Sequence, residues 1–178
     1  MPQEQQEASL RWEYQDWSQK LKTKSQAWDF SEEGIRAREQ RDVGVIVHEL
    51  LATSKSLSDA LLLLQKFTFE GRWVEDIASE IAIPLKRLFE NSQVLSWFDP
   101  KAYSLTEQGI LLPGGMQKRP DRILLGKEEV VVIDFKTGAK KEEHPRQVQE
   151  YMDLVKALTH LPVTGFVCYL QPLEIVEV

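Results

Sequence analysis

The order of apolar and polar positions divides the chain into a helical first part and a strand-rich second part. Helical spacing of apolar residues dominates residues 31–100, and short runs rich in β-branched residues dominate residues 101–178. Pro84 is expected to kink or divide the third helix. The predicted helices cover 31–53, 56 or 58 to 70, 73–90, 94–98 and 145–160, and the predicted strands cover 102–112, 122–125, 130–133, 163–170 and 173–178.

Residues 119–138 form the clearest element, a two-stranded hairpin. Val130–Ile133 is a short β-branched run, Arg122–Leu125 is its partner, and Gly126–Glu129 supplies the turn. Apolar residues on both sides of the second strand are typical of a sheet covered on both faces. The hairpin is therefore expected at the centre of the fold.

The turn length predicts which side chains meet at the open end of this hairpin. If Lys127 and Glu128 are the two loop residues, Asp121 lies directly across from Asp134. Opposed Cβ atoms in an antiparallel pair are about 4.5–5.5 Å apart. Strand side chains alternate between faces, so Lys136 projects from the same face as Asp134. A loop one residue longer or shorter would reverse this arrangement.

Two adjacent carboxylates beside apolar neighbours repel each other, and a proton or a cation relieves that repulsion. Oxygen ligands of this kind suit Mg²⁺ or Mn²⁺. Asp121, Asp134 and Lys136 are therefore candidates for a metal-dependent site. The alternative is a surface salt bridge between Asp134 and Lys136, with Asp121 in solvent.

The first predicted helix adds a possible fourth member. Gly44, His48 and Leu51 share one face of this helix. Glycine is unfavourable within a helix by about 1 kcal/mol relative to alanine, so Gly44 suggests a close neighbour there. Such an approach would bring His48 to the hairpin. The alternative is a hydrogen-bonded histidine in the core.

Four ordered motifs carry a resemblance to a known family. They read GVIVHELL, RPDRI, VVVIDFKTG and QVQEY, and the resemblance runs from about Gly44 to the end of the chain. Together they resemble the PD-(D/E)xK nuclease superfamily, and within it the nuclease domain at the C-terminal end of RecB and AddA helicase-nuclease chains. The resemblance implies an α/β fold with a restriction-endonuclease-like core, in which helices flank a central mixed sheet, and an N-terminal helical segment.

The resemblance also implies roles for individual residues. Asp121, Asp134 and Lys136 would be catalytic, and Mg²⁺ or Mn²⁺ would be bound by His48, Asp121, Asp134 and the backbone carbonyl of Phe135. Lys136 would orient the attacking water and stabilise the transition state. The expected reaction is hydrolysis of DNA phosphodiester bonds.

Further residues are expected to support the site or to contact DNA. Gln147 and Tyr151 match the Gln-x3-Tyr motif that borders the active site in the family, although Tyr151 could equally be a core aromatic residue and Gln147 a surface amide. Glu107 is a secondary candidate for the metal, with an arginine-paired strand residue as the alternative. His144 and His160 are expected in solvent. The candidate phosphate contacts are Arg119, Arg122 and Lys140.

Composition limits the possible functions. The 178-residue chain has a net charge of −6, which gives no general attraction to nucleic acid, but residues 118–141 contain seven basic and four acidic side chains. Its single cysteine, Cys168, excludes an iron–sulfur cluster with four cysteine ligands and is expected in the core. No apolar run is long enough to span a membrane, so a cytoplasmic protein is expected.

Residues 1–30 are expected to be an extension or a linker from a preceding helicase region, and residues 31–178 the nuclease domain. The resemblance implies that the substrate is DNA, with single-stranded ends favoured, and that a helicase lies in the same parent chain or in a partner subunit. It further implies exonuclease action, with or without endonuclease action, in DNA repair or recombination. The alternative is a domain of the same fold that binds DNA or bridges subunits without catalysis.

Overall fold

The computed structural model describes residues 32–71, 75–111, 115 and 117–178. The chain divides into two compact units, Met1–Arg36 and Ala37–Val178, and all the candidate residues lie in the second. The extension expected over residues 1–30 lies outside the described residues, and the division at residue 30 remains a prediction. None of the helices in the described part of the chain has the length and apolar character needed to cross a membrane.

The predicted helices form, and local sequence explains where they begin and end. The Ser56 side chain accepts a hydrogen bond from the Asp59 N–H and caps the second helix. Asn91 caps the fourth in the same way. Pro84 lies inside the third helix, which continues past it and is not divided. The four helices are α1 (Glu32–Thr53), α2 (Leu57–Phe69), α3 (Glu75–Glu90) and α4 (Ser92–Trp97).

The second half follows the predicted order of elements from residue 122 onward, but the described part of residues 102–118 differs from the prediction, since Gln117–Lys118 is a strand that was not expected. The single strand expected over 102–112 is wrong, because Glu107 adopts a left-handed conformation with φ of 53° and ends the first strand. The elements are β1 (Tyr103–Thr106), β2 (Ile110–Leu111), β3 (Gln117–Lys118), β4 (Arg122–Leu125), β5 (Val130–Lys136), α5 (Glu143–Thr159), β6 (Val163–Leu170) and β7 (Leu173–Glu177).

The sheet is mixed, as expected. Its five strands lie in the order β1-β4-β5-β6-β7, while β2 and β3 pair separately. Only β5 and β6 run parallel within the five-stranded sheet, and α5 connects them. In the β4–β5 hairpin Ile123 pairs with Val132 and Arg122 with Ile133, so the predicted register is confirmed.

Both faces of β5 are covered, which confirms the expected layers. On one face Ile133 and Phe135 pack in a cluster with buried residues of the helical region, among them Leu50 and Leu88. On the other face Val132 packs with Tyr151 of α5. Burial on both sides fixes the strand tightly, so residues at its end are held in defined positions.

Candidate active site

The register of the hairpin places Asp121 beside the end of β5. Arg122 and Ile133 form the last pair of the β4–β5 ladder, and Asp121 lies one residue beyond it. The Asp121 Oδ2 atom accepts a hydrogen bond of 2.6 Å from the Phe135 N–H. The N–H and C=O of a strand residue point to the same edge, so the Phe135 carbonyl also points toward the Asp121 side. Asp121 and the Phe135 backbone are thus brought together, and the metal-binding role expected for the Phe135 carbonyl remains a prediction.

His48 reaches the same position from α1. Its Nδ1 atom lies 3.0 Å from Asp121 Oδ1. One helical turn earlier, a Cβ atom on Gly44 would lie 3.2 Å from the Thr137 Oγ1 atom, which is a tight contact. The close approach expected at Gly44 is confirmed, and its neighbour is the residue directly after Lys136. The absence of a side chain at Gly44 therefore lets α1 approach the end of β5.

Glu107 completes a group of three potential ligands. Each of His48, Glu107 and Asp121 offers one ligand atom, and these atoms lie within 4.8 Å of one another. The Glu107 N–H donates to the Asp121 carbonyl at 3.1 Å, so the turn after β1 holds its side chain at the site. Its carboxylate is paired with the Arg119 Nε atom at 2.7 Å. The arginine pairing expected for Glu107 is present, although the residue lies after the strand and not in it. Its role as a metal ligand remains a prediction.

Asp134 is outside that group of three and is instead engaged by Lys136. The Lys136 Nζ atom lies 2.7 Å from Asp134 Oδ2, and the Asp134 side chain is only 3% exposed. Among the described residues this buried oxygen has no hydrogen-bond partner besides the ammonium. The salt bridge considered from sequence exists, but it is buried and not at the surface.

The pKa values reflect the crowding of negative charge. Burial raises the pKa of Asp134 to about 6, and the charge of Asp121 adds to this effect, while Lys136 opposes it. Burial lowers the pKa of His48, but the hydrogen bond and charge of Asp121 outweigh it, so the pKa is raised overall. Both shifts show that the site favours added positive charge.

Lys136 is held from its other side by α5. Its Nζ atom donates to Gln147 Oε1 at 3.1 Å, and Gln147 Nε2 donates to the Tyr151 hydroxyl at 2.5 Å. Tyr151 is buried against β5, so it is a core aromatic residue that also fixes the Gln147 amide. Gln147 is accordingly more than a surface amide. The two residues support the lysine, and the structure brings them together as the motif predicts.

The expected phosphate contact at Arg122 is wrong. This residue is only 4% exposed, and its guanidinium donates to the Leu51 carbonyl at 2.7 Å. Burial lowers its pKa to about 10. Arg122 follows Asp121 directly, and strand alternation turns its side chain toward the helices. It cannot contact DNA from that position.

The other two basic candidates are accessible but already paired. Arg119 is exposed and bound to Glu107. Lys140 forms an ion pair with Glu174, and its Nζ atom lies 5.5 Å from the centre of the Tyr169 ring. To bind phosphate, each would have to exchange a carboxylate partner for it. Their DNA contacts remain predictions.

His144 is a residue that sequence reasoning misjudged. It is buried, and its Nδ1 atom lies 3.2 Å from the Tyr169 hydroxyl, so the expectation that it is solvated is wrong. Tyr169 pairs with Lys136 across β5 and β6, which places this polar contact beside the site. An isolated histidine offered no signal for a partner on a later strand. Cys168, in contrast, is buried as expected.

The three potential ligands face an open cleft of about 830 Å³. Residues of α1 form one wall, and the turn after β1 with Arg119 forms another. Thr137 lies in its lining as well. The ligand atoms are therefore accessible to a substrate from outside the core.

A mixed sheet covered by helices on both faces, with two aspartates and a lysine at the end of its central hairpin, defines the restriction-endonuclease-like class of α/β proteins. A family model described as the PD-(D/E)XK nuclease superfamily matches residues 6–176, and the chain belongs to that superfamily. No curated protein is similar enough to the chain to count as a match. Membership implies a nuclease that acts on DNA and uses divalent metal ions. The narrower likeness to RecB and AddA remains a prediction.

Proposed function

We propose that this protein hydrolyses DNA phosphodiester bonds with Mg²⁺ or Mn²⁺. The observation that carries the proposal is the meeting of His48, Glu107 and Asp121, which come from three separate segments, beside the Asp134–Lys136 pair. A group of acidic residues can occur without a metal ion. Here an imidazole, several carboxylates and a lysine converge at one strand end, which is the set of groups that metal-assisted hydrolysis requires.

The residues fit a divalent cation. His48, Asp121 and Asp134, with the Phe135 carbonyl, would hold it, and Glu107 is a further candidate ligand. In the described part of the chain, the buried Asp134 oxygen has the Lys136 ammonium as its one partner. This supports the assignment, because the oxygen keeps unused capacity to bind a cation. When bound, such an ion supplies Lewis acidity toward a phosphate oxygen and lowers the pKa of a water molecule.

Lys136 would act on the reacting groups directly. Its ammonium has three N–H donors, of which Asp134 and Gln147 engage two. Within the described residues no further partner engages the third donor, which we propose contacts the attacking water or a phosphate oxygen. Because the ammonium is fixed before substrate arrives, its charge would stabilise the additional negative charge of the pentacovalent transition state with little reorganisation.

The finer parts of the proposal rest on the resemblance in sequence. We propose exonuclease action on single-stranded DNA ends, with or without endonuclease action, by a cytoplasmic domain that works with a helicase in repair or recombination. The local excess of basic residues between Lys118 and Lys141 supports contact with DNA. The net charge of −6 supports a role for an attached helicase, since the protein as a whole does not attract a strand.

Cleavage assays on single-stranded and duplex DNA, with Mg²⁺, with Mn²⁺ and with a chelator, test the proposal. Asp134→Ala should abolish cleavage and weaken metal binding, whereas Lys136→Ala should abolish cleavage and keep the metal. Glu128→Ala, in the exposed hairpin turn, is the matched control and should cut normally. Wild-type rates in Lys136→Ala would remove the lysine from the mechanism.

Calorimetric titration with Mn²⁺ should accompany the cleavage assays. A wild-type protein that neither cuts nor binds Mn²⁺ would overturn the proposal. One that binds Mn²⁺ without cutting, even when joined to a helicase, would favour the non-catalytic domain instead.

A further inference from the structure

We infer that Arg122 is a positioning residue that sets the distance between His48 and Asp121 by holding the end of α1 against β4. The inference deepens the proposed function and rests on it, because His48 and Asp121 are two of the proposed ligands. Arg122 itself touches neither the cleft nor the ligand atoms. It would act only through the two residues that it holds in place.

The guanidinium joins three separate elements. Its Nη2 atom donates to the Leu51 carbonyl at 2.7 Å and to the Ser54 carbonyl at 3.4 Å, both at the end of α1. Its Nη1 atom donates to the Trp97 carbonyl at 3.4 Å and to the Ser104 hydroxyl at 3.4 Å. The contacts therefore connect α1 with the last residue of α4 and with β1, from a residue on β4. The short Leu51 bond is the strongest of the four by distance.

These contacts lie next to both ends of the His48–Asp121 pair. Leu51 follows His48 by three residues, which is less than one helical turn. Asp121 precedes Arg122 directly in the chain. A slip of α1 by a single residue moves it about 1.5 Å along its axis, enough to break a hydrogen bond. The 3.0 Å contact between His48 and Asp121 thus depends on how α1 is held at this point.

The choice of arginine is not explained by packing alone. A buried charge without an acidic partner is unfavourable, and apolar residues of similar volume commonly fill such positions with less penalty. Burial is the cause of the lowered pKa of Arg122, and among the described residues no acidic side chain forms an ion pair with it. Its charge is balanced by the carbonyls at two helix ends and by the Phe98 ring, whose centre lies 4.1 Å from Cζ.

Only a forked donor can make this set of bonds. Arginine presents its N–H groups in a fixed plane, and its two terminal nitrogens here serve different helices. Lysine has one nitrogen and could retain the bond to α1 or the bond to α4, with less fixed geometry. Arg122→Lys should therefore keep part of the positioning of α1, and Arg122→Met, which has no donor, should keep none.

Metal affinity measured in a double-mutant cycle tests the inference. Arg122→Met should weaken Mn²⁺ binding about 10-fold, the lower end of the effect of outer partners on metal sites. Arg122→Lys should weaken Mn²⁺ binding less, by about 3-fold. In a His48→Ala background the same Arg122→Met change should alter the Mn²⁺ affinity less than about 2-fold. The reason is that the imidazole whose distance from Asp121 is set by Arg122 is then absent.

A matched control separates positioning from stability. Leu88→Ala removes a fully buried residue of the same helical cluster and none of the Arg122 bonds. It should lower the melting temperature while leaving Mn²⁺ affinity within about 2-fold of wild type. An equal loss of affinity in Leu88→Ala, or an equal effect of Arg122→Met with and without His48, would overturn the inference. If Arg122→Met does not fold, Arg122→Lys carries the same comparison.

A crystal structure of metal-free Arg122→Met, or of Arg122→Lys, supplies a readout that does not depend on metal. We expect the His48 Nδ1 to Asp121 Oδ1 distance to exceed hydrogen-bond length while the β4–β5 register is kept. An unchanged contact would overturn the inference. A wild-type protein that binds no Mn²⁺ would instead refute the proposed metal site, and this distance would still decide the role of Arg122.

Discussion

The Lys136 ammonium lies 2.7 Å from the buried Oδ2 atom of Asp134, and this pair marks the inner end of the candidate site. The contact opposes, but does not cancel, the effect of burial on the aspartate, whose pKa stays near 6. The metal-free protein therefore holds a carboxylate that is unfavourable for folding. Such a conflict between local stability and chemistry is common at functional sites.

Asp134→Asn should stabilise the metal-free protein. Because the folded-state pKa of about 6 exceeds the ordinary value of 3.8, the folded protein binds the proton more tightly, and stability falls as pH rises between these values. Above pH 6 the ionised Asp134 side chain lowers the stability of the folded protein by its full amount. Each unit of difference between the folded and unfolded pKa corresponds to about 1.4 kcal/mol. The variant also removes the charged partner of Lys136, which offsets part of the effect. We therefore expect the free energy of unfolding to rise by about 1–2 kcal/mol and the melting temperature to rise by several degrees at pH 8.

Thermal melts with a chelator at pH 4, 6 and 8 measure this effect, with the exposed Glu128→Gln as the control. The advantage of Asp134→Asn should grow between pH 4 and 6 and then stay constant. Added Mn²⁺ should stabilise the wild type and not the variant. A lower melting temperature for the metal-free variant at pH 8 would show that Lys136 compensates Asp134 fully.

Mn²⁺ affinity should fall as the solution becomes more acidic. A metal ligand must be deprotonated, and below a pKa of about 6 Asp134 increasingly holds a proton in the free protein. With one proton displaced, the dissociation constant should rise about 10-fold for each pH unit below that value. The raised pKa of His48 should make the dependence steeper. Calorimetric titrations from pH 5 to 8 would reveal it, and a constant affinity would exclude Asp134 as a ligand.

Gln147→Leu should slow catalysis without loss of metal. The change removes the Oε1 acceptor of Lys136 and the Nε2 donor to Tyr151, so the ammonium is held by Asp134 alone. We expect kcat to fall about 10-fold, with a smaller change in KM and unchanged Mn²⁺ affinity.

Gln149→Leu is the control for that variant. Gln149 lies on the same helix and is exposed, and its amide donates to Asp153 at 3.0 Å away from the lysine. It should retain full activity. An equal loss of kcat in both variants would indicate a general effect on α5 and not a loss of support for Lys136.

The hairpin was predictable because its information is local. Turn length fixes the register, and alternation fixes the faces, so Asp121, Asp134 and Lys136 could be placed from sequence. His48 was less certain, since only the glycine one turn before it hinted at a close neighbour. In each case a few adjacent positions determined the result.

Arg122 and Glu107 show where local patterns were misread. The same alternation that places Asp121 at the site turns Arg122 toward the helices. The positive charge of Arg122 alone is therefore a poor basis for predicting a phosphate contact. Glu107 has a left-handed backbone that is uncommon for glutamate, and its position is fixed by a hydrogen bond to the carbonyl of Asp121, the residue before β4. The local signal for a turn is Gln108 and Gly109, which directly follow Glu107.

Gly44 provides a last test of how α1 meets the site. Alanine is favoured over glycine inside a helix by about 1 kcal/mol, but at this position its Cβ would lie 3.2 Å from Thr137 Oγ1. Gly44→Ala alone should therefore change stability by less than about 0.5 kcal/mol, because the two effects oppose each other. In a Thr137→Ala background the contact is gone, and the same change should stabilise by about 1 kcal/mol.

Gly44→Val should separate α1 from the end of β5, because its branched side chain cannot fit against Thr137. Loss of the close approach moves His48 away from Asp121, so we expect Mn²⁺ affinity to fall about 10-fold or more. Urea unfolding gives the stabilities, and calorimetric titration gives the affinities. Wild-type metal affinity in Gly44→Val would mean that the glycine does not govern the position of His48, and that α1 can be displaced without consequence for the site.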